Sequence, residues 1–413
     1  MKKLVVLVSL IVGISSATST SAQALSKSAI TNLFSRITAG SALADPSIIV
    51  IDQLTGEVVF RKNSNSPRKP ASVMKIYTAA AALTYLKPDQ RFTTSVWLGI
   101  EKKSIVIQGS LDPWFSLNSD QAKKMGRTSL PRIEYKSLSA LRDANKGSIR
   151  NSTIYYSNLY SKDVAYVKSF YKKRGINATM LKVTSLEAQA LSDERILTSK
   201  SPELQEMLAF TLTWSDNVLA ERIARVASRA AGNSLNDQGV AQTFTQMLDD
   251  LGVERKGLVI RDASGLSRKN RVTANQVGQL LLKIRSDSRF APLLSGLPIS
   301  GLTGTLKNRF VETAREAVGL VKAKTGTLSG TANLAGYVEA GDREYIFVII
   351  ADRLKRTYSA ANLARKTVDR ILGKIASPLL PQLPGQPNEI EIKIEDGTET
   401  NTATTIEEAV VTT

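Results

Sequence analysis

Ser72-Val73-Met74-Lys75 places a hydroxyl and an amine three residues apart. On a helix these two side chains share a face about one turn apart. A helix is what the stretch predicts. Pro70 has no backbone N–H to donate and suits a first turn or the residue before it, and the Ala-rich run that follows has high helix propensity. Pro88 predicts an end near Leu86. A hydroxyl is a poor nucleophile until a base removes its proton. The chain has no His and no Cys, which excludes Ser-His-Asp and Cys-His catalysis and removes the usual zinc ligands. No metal or cofactor is expected. The base for Ser72 is then a lysine or a carboxylate, and Lys75 can serve if burial and a nearby cation move it toward its neutral form. Taken alone, the pair also describes a solvated helix face.

Two further motifs follow in chain order, Ser215-Asp216-Asn217 and Lys324-Thr325-Gly326. Ser-x-x-Lys, Ser-x-Asn and Lys-Thr-Gly together form the set found in penicillin-binding proteins and class A β-lactamases. One chemistry accounts for all three. Ser72 attacks an acyl carbon and forms an ester, with Lys75 placed to take its proton. Ser215 can relay a proton to the leaving amine, and Asn217 can hold a substrate amide. Lys324 helps keep Lys75 neutral by like-charge repulsion and attracts a carboxylate, which the Thr325 hydroxyl can bind. Gly326 lets a substrate backbone approach the strand. The backbone N–H groups of Ser72 and Thr327 are candidate oxyanion donors.

The elements that must hold these residues can be read from periodicity. Ser26 to Thr38 is predicted as an amphipathic helix, Ser47 to Asp52 as a buried strand and Val58 to Phe60 as its return. From Arg91 to about Leu197 strand-like runs (Phe92 to Leu98, Ser104 to Gln108, Thr153 to Tyr156) alternate with basic loops and one helix, Ala165 to Lys173. Helices are predicted from Ser201 to Trp214 with Pro202 at the first position, from Val218 to Ala231, and from Gln242 to Leu251. Strands follow over Leu320 to Thr327, Ala332 to Val338 and Tyr345 to Ala351, then a helix over Ser359 to Ile375. N-terminal strands must join C-terminal strands. This predicts an α+β fold, an antiparallel sheet with helices packed on it, interrupted by an insertion. The expected divisions are a signal peptide over 1–24, a discontinuous domain over 25–90 and 198–384, an inserted smaller domain over 91–197, and a disordered acidic tail over 385–413.

Export is predicted from the N-terminus. Lys2 and Lys3 precede an apolar core, Leu4 to Ile14, too short for a stable span, and Ala22-Gln23-Ala24 is a small-x-small cleavage pattern. Absence of Cys leaves stability to core packing, which 413 residues allow. The net charge of +18 fits peripheral attraction to an anionic envelope polymer or lipid surface. A nucleic-acid partner is not expected, because no aromatic-interleaved basic motif accompanies the charge.

Beyond the three motifs, the chain resembles the low-molecular-mass penicillin-binding proteins of the D-Ala-D-Ala carboxypeptidase/endopeptidase type, peptidase family S13. The matching stretches are Pro70-Ala71-Ser72 with Lys75, Gly109-Ser110-Leu111-Asp112-Pro113, Ser215-Asp216-Asn217 with Ala220-Glu221, Asp262 to Arg268 with Asn270, Leu297 to Gly301 with Gly304-Thr305-Leu306, and Lys324 to Thr327. The resemblance spans roughly Ile48 to Ile375. It implies a β-lactamase/transpeptidase-like domain with helices on both sides of the sheet, peptidoglycan stem peptides as substrates, and β-lactam antibiotics as covalent inhibitors. About 140 residues separate Ser72 from Ser215, which requires an insertion, although one shorter than the family's usual one. Two alternatives stay open: a serine β-lactamase, and a non-catalytic wall-binding protein. Against the first, no Glu followed by Leu-Asn occurs where a deacylating loop would lie, and the region reads Val253-Glu254-Arg255-Lys256-Gly257. Against the second, Ser72, Lys75, Ser215 and Lys324 are all present.

Overall fold

The computed structural model describes residues 24–377. The expectations for the signal segment before Ala24 and for the acidic tail lie outside the described residues. The strands are β1 (Ser47–Asp52), β2 (Val58–Lys62), β3 (Thr93–Gly99), β4 (Ser104–Gln108), β5 (Asn151–Ser157), β6 (Asn177–Lys182), β7 (Ser192–Lys200), β8 (Val321–Leu328), β9 (Thr331–Ala340) and β10 (Arg343–Ala351). The helices are α1 (Lys27–Ala39), α2 (Met74–Tyr85), α3 (Ser119–Lys124), α4 (Leu130–Ala144), α5 (Ser161–Lys172), α6 (Ser185–Ala190), α7 (Leu204–Trp214), α8 (Asn217–Ala230), α9 (Asp237–Asp250), α10 (Ala274–Ser286), α11 (Ala291–Gly296) and α12 (Tyr358–Ala376).

Strands from both ends of the chain make one antiparallel sheet in the order β2-β1-β10-β9-β8. Every residue of β1 is buried, as expected for a strand covered on both faces. Ile48 and Val50, with Phe347 and Ile349 of β10, pack with α1 and α12. The alternate residues, Ile49, Ile51, Ile346 and Val348, face the opposite layer, where α2, α8, α9 and α10 gather around Tyr77, Phe244 and Leu281. The sheet thus has helices on both sides. The last strand in its order, β8, carries Lys324 to Thr327 along an edge.

A second sheet, in the order β6-β5-β4-β3-β7, occupies Thr93–Lys200 and has its own core around Val96, Ile107, Leu138, Ile154 and Phe170. Its β4, β5 and β6 are parallel, because α4 and α5 supply crossover connections. This sheet docks on the helical layer through Arg222 of α8, whose Nη2 meets buried Asp163 at 2.6 Å, and through Trp114 against Phe210, with ring centroids 4.8 Å apart.

Three local features depart from the sequence reading. Ser72 lies in a short 3-10 turn, Ala71–Val73, and the α-helix begins only at Met74. Helix α7 begins at Leu204 rather than at Pro202, because Glu203 and Glu206 form a reciprocal cap there. Helices α4 and α10 occupy stretches to which periodicity assigned nothing. Helix α10 is nonetheless announced by a capping box, Thr273 with Gln276.

Candidate active site

Ser72 is presented by a turn clamped from three sides. From β9, the buried Asn333 Nδ2 donates to the carbonyls of Lys69 and Pro70, both at 2.9 Å, and its Oδ1 accepts from Ala351 N at 3.1 Å. From β8, Gly326 lies so close that a Cβ there would sit 2.7 Å from the Pro70 oxygen. The close approach that this glycine permits is therefore to the turn bearing Ser72. On the third side, Gly265 has φ +86°, and a Cβ would come within 1.8 Å of the Ala71 carbonyl oxygen. Ala71 itself has φ +47°, a left-handed conformation that a non-glycine residue holds only when its surroundings enforce it.

Gly265→Ala is accordingly expected to be severe. It combines a strained φ with overlap of a backbone atom next to Ser72, and neither can be relieved by a rotamer change. Thermal melting should show destabilisation of about 2 kcal/mol or more, and acylation of the remaining folded protein should fall. A melting temperature within one degree of the parent would mean that the loop moves freely.

Lys75 is fully buried on α2. Its Nζ has three oxygen neighbours: Ser72 Oγ at 2.9 Å, Asn217 Oδ1 at 2.7 Å and the Ser264 carbonyl at 2.7 Å. Two of these, an amide oxygen and a carbonyl, can only accept. A neutral amine has two N–H groups and one lone pair. With both N–H groups engaged by Asn217 and Ser264, the lone pair is left for the Ser72 hydroxyl. Burial pushes Lys75 down to about 8, against the opposing pull of Asp262, Glu221 and Asp216.

Lys324 is also fully buried, with Nζ donating to the Thr325 carbonyl at 3.0 Å. Burial lowers it far below the ordinary lysine range, and the charge of Lys75 lowers it further. The repulsion is mutual, so the two amines resist being charged together.

Helix α8 begins where the second motif lies. Ser215 ends α7 with φ +60°, and Asp216 caps α8 by accepting from Leu219 N at 2.8 Å. This tight joint aims Asn217 at Lys75. Among the described residues the Ser215 hydroxyl has no hydrogen-bond partner, which leaves it available to a substrate.

Thr325 and Thr327 line a cleft of about 290 Å³ with Thr305, Arg309 and Arg365. Thr325 Oγ1 lies 2.9 Å from Thr305 Oγ1. Arg309 is held by the buried Asp369, with Nε to Oδ2 at 3.3 Å. Among the described residues the Arg365 guanidinium has no ion pair or hydrogen bond, so the cleft keeps one uncompensated cation.

The structure thus joins Ser72, Lys75 and Asn217 by hydrogen bonds, sets Lys324 within electrostatic reach of Lys75, and places Thr325 and Thr327 on an adjoining cleft. Roles for Asn333, Thr305, Arg365 and the loop after Arg261 had not been read. Asn333 carried a signal, as a lone amide within the mostly apolar run from Ala332 to Val338. Arg365 carried none, because one arginine on a basic helix looks like any other.

The chain matches the D-Ala-D-Ala carboxypeptidase 3 (S13) family over residues 31–138 and 150–374. It belongs to that family. Among its relatives, the carboxypeptidase DacB of Mycolicibacterium smegmatis is 29% identical over 381 residues, covering 81% of this chain and 83% of the relative. The D-alanyl-D-alanine carboxypeptidase of an Actinomadura species is 38% identical over 170 residues, covering 40% of this chain and 30% of the relative. Penicillin binding protein 4 (dacB) of Haemophilus influenzae superposes with a TM-score of 0.63 at 16% identity, covering 82% of this chain and 98% of that one. That likeness shows the shared α+β transpeptidase-like fold. The chain is thus an enzyme of the D-Ala-D-Ala carboxypeptidase S13 family. Among the described residues no helix is long and apolar enough to cross a membrane.

Proposed function

We propose that this S13 enzyme is exported and cuts the D-Ala-D-Ala end, the D-Ala cross-link, or both, in stem peptides through an acyl-enzyme at Ser72, which β-lactams trap. The observation that carries this reading is the hydrogen-bond set of Lys75. It spends both N–H groups of a neutral amine on fixed acceptors and leaves the lone pair for Ser72 Oγ. Lys75 takes the hydroxyl proton as Oγ attacks the acyl carbon. Ser215 passes a proton to the departing amine. Asn217 and the open edge of β8 hold the peptide, and the N–H groups of Ser72 and Thr327 receive the developing oxyanion.

The carboxylates near Lys75 favour a peptidase over a β-lactamase. Glu221 Oε1 and Asp262 Oδ1 accept from backbone N–H groups of the loop after Arg261, a holding role that supports this reading. The test is intact-protein mass spectrometry after mixing with benzylpenicillin. A lasting one-drug adduct is expected. Drug consumed without an adduct would point to a β-lactamase, and drug left untouched to a non-catalytic wall protein. Digests of D-Ala-D-Ala peptides and cross-linked muropeptides then read out the reaction.

The cleft beyond Thr325 fits the carboxylate of the leaving residue. Thr305, Thr325 and Thr327 line it together with Arg365, which is unpaired among the described residues, and arginine suits a planar anion. Arg365→Ala should lower kcat/KM about tenfold, the worth of one charge-assisted hydrogen bond, on a peptide ending in a free carboxylate. The same peptide ending in a carboxamide should be unaffected. Equal losses on both would remove Arg365 from carboxylate recognition.

A further inference from the structure

Glu221 takes no part in the acyl-transfer scheme above, yet it is tied to the lysine at its centre. It stands four residues after Asn217 on α8, so the two side chains share a helix face. Asn217 reaches Lys75 directly. Glu221 reaches it through one residue, Ser264: its Oε1 accepts from Ala263 N at 3.0 Å and Ser264 N at 2.8 Å, and the Ser264 carbonyl accepts from Lys75 Nζ at 2.7 Å. The same loop is pinned from α2, where Thr78 Oγ1 donates to the Ala263 carbonyl at 2.7 Å. Asp262 closes the turn by accepting from Gly265 N and Asn270 Nδ2, both at 2.7 Å. The loop thus has its carbonyls facing α2 and two amides facing α8, with Glu221 as the α8 anchor.

We infer that Glu221 is a positioning residue for acylation: it holds the residue whose carbonyl, that of Ser264, orients the Lys75 amine toward Ser72, and its negative charge contributes to the pH at which that amine becomes a base. The inference rests on the reading of Ser72 and Lys75 as nucleophile and base. The charged groups around the amine are few. Lys324 comes from β8, Asp216 and Glu221 from α8, and Asp262 from the loop. Arg225 lies behind Glu221, with Nη1 3.4 Å from Oε2, and shares itself with Asp237 at 2.6 Å. Glu221 is therefore one of three carboxylates favouring the charged, inactive form of Lys75, and the only one of the three that also fixes a Lys75 partner from another element.

Two substitutions separate the two roles. Glu221→Gln keeps length and an acceptor oxygen but removes the charge. Glu221→Asp keeps the charge but withdraws the acceptor by one methylene. The measurement is the second-order rate of benzylpenicillin acylation from pH 5.5 to 9.5 on the full chain, followed by intact mass and normalised to the fraction that finally acylates. That normalisation removes any loss of folded protein. For Glu221→Gln the inflection should move down by about half a pH unit or more, with the rate at pH 6 raised at least about threefold relative to its own plateau. For Glu221→Asp the plateau should fall about tenfold or more with the inflection unmoved. An unmoved inflection in Glu221→Gln overturns the charge role. A parental plateau in Glu221→Asp overturns the positioning role. If the parent itself forms no Ser72 adduct, the reading of the site fails first, and this inference falls with it.

Discussion

Ser72→Ala is expected to give a folded protein that forms no benzylpenicillin adduct. The substitution removes one hydroxyl from a half-buried position in a 3-10 turn whose backbone is fixed by Asn333, Gly326 and Gly265 rather than by the hydroxyl. Among the described residues the lost hydrogen bond is the 2.9 Å one to Lys75, worth about 1 kcal/mol or less in net stability. The melting temperature should therefore move by only a few degrees. Acylation, in contrast, loses its nucleophile, and the rate should drop by about 10⁴-fold or more. Mass spectrometry reads both proteins side by side. Labelling of the variant at the parental rate would show that another residue carries the ester.

Lys75→Ala should cost acylation about 10³-fold or more, because no other base is within hydrogen-bond reach of Ser72 among the described residues. In the parent, the neutral fraction of Lys75 rises tenfold per pH unit up to about 8 and then levels, so the acylation rate should follow that curve. The variant should lose the curve together with the rate. A near-parental rate with an unchanged profile would assign the base elsewhere. The same shift bears on stability with a definite sign. Unfolded, Lys75 keeps its proton up to the ordinary value near 10.5, whereas folded it does so only up to about 8. Between those values the unfolded chain binds the extra proton, so this group's contribution to stability grows as pH rises through the interval and is at its least favourable below about 8. Lys75→Met, which fills the space without a charge, should accordingly show a smaller drop in melting temperature between pH 9 and pH 7 than the parent.

The fold around the site was legible where local physics is strong. Strand β1 could be read as buried from an unbroken apolar run, and α12 from its Ala-rich helical spacing. The β9–β10 hairpin could be read from Ala340-Gly341-Asp342 between two apolar runs. Helix α4 was not, because Leu130, Ile133, Leu138 and Leu141 sit among so many polar residues that the stretch resembles a loop until a sheet covers one face. The parallel pairing of β4, β5 and β6 was likewise invisible, since partner choice depends on the crossover helices rather than on the strands.

For the site, composition and short motifs specify the chemistry available: no histidine or cysteine, a serine and a lysine at helical spacing, and two further motifs that could serve them. These are local facts, fixed by composition and by a few bonds of backbone. What Lys75 does with its three hydrogen-bonding directions follows from long-range packing. Asn217 lies 142 residues away and Ser264 lies 189 residues away, and both meet it at 2.7 Å. The same holds for Gly326 and Gly265. Gly326 reads in the sequence as a place where backbone approaches and Gly265 only as part of a family-like stretch, and packing shows that both face the turn bearing Ser72. The residues of a base can be written in a short motif. Its protonation depends on burial and on charges brought from β8, α8 and a distant loop, and no spacing along the chain encodes those.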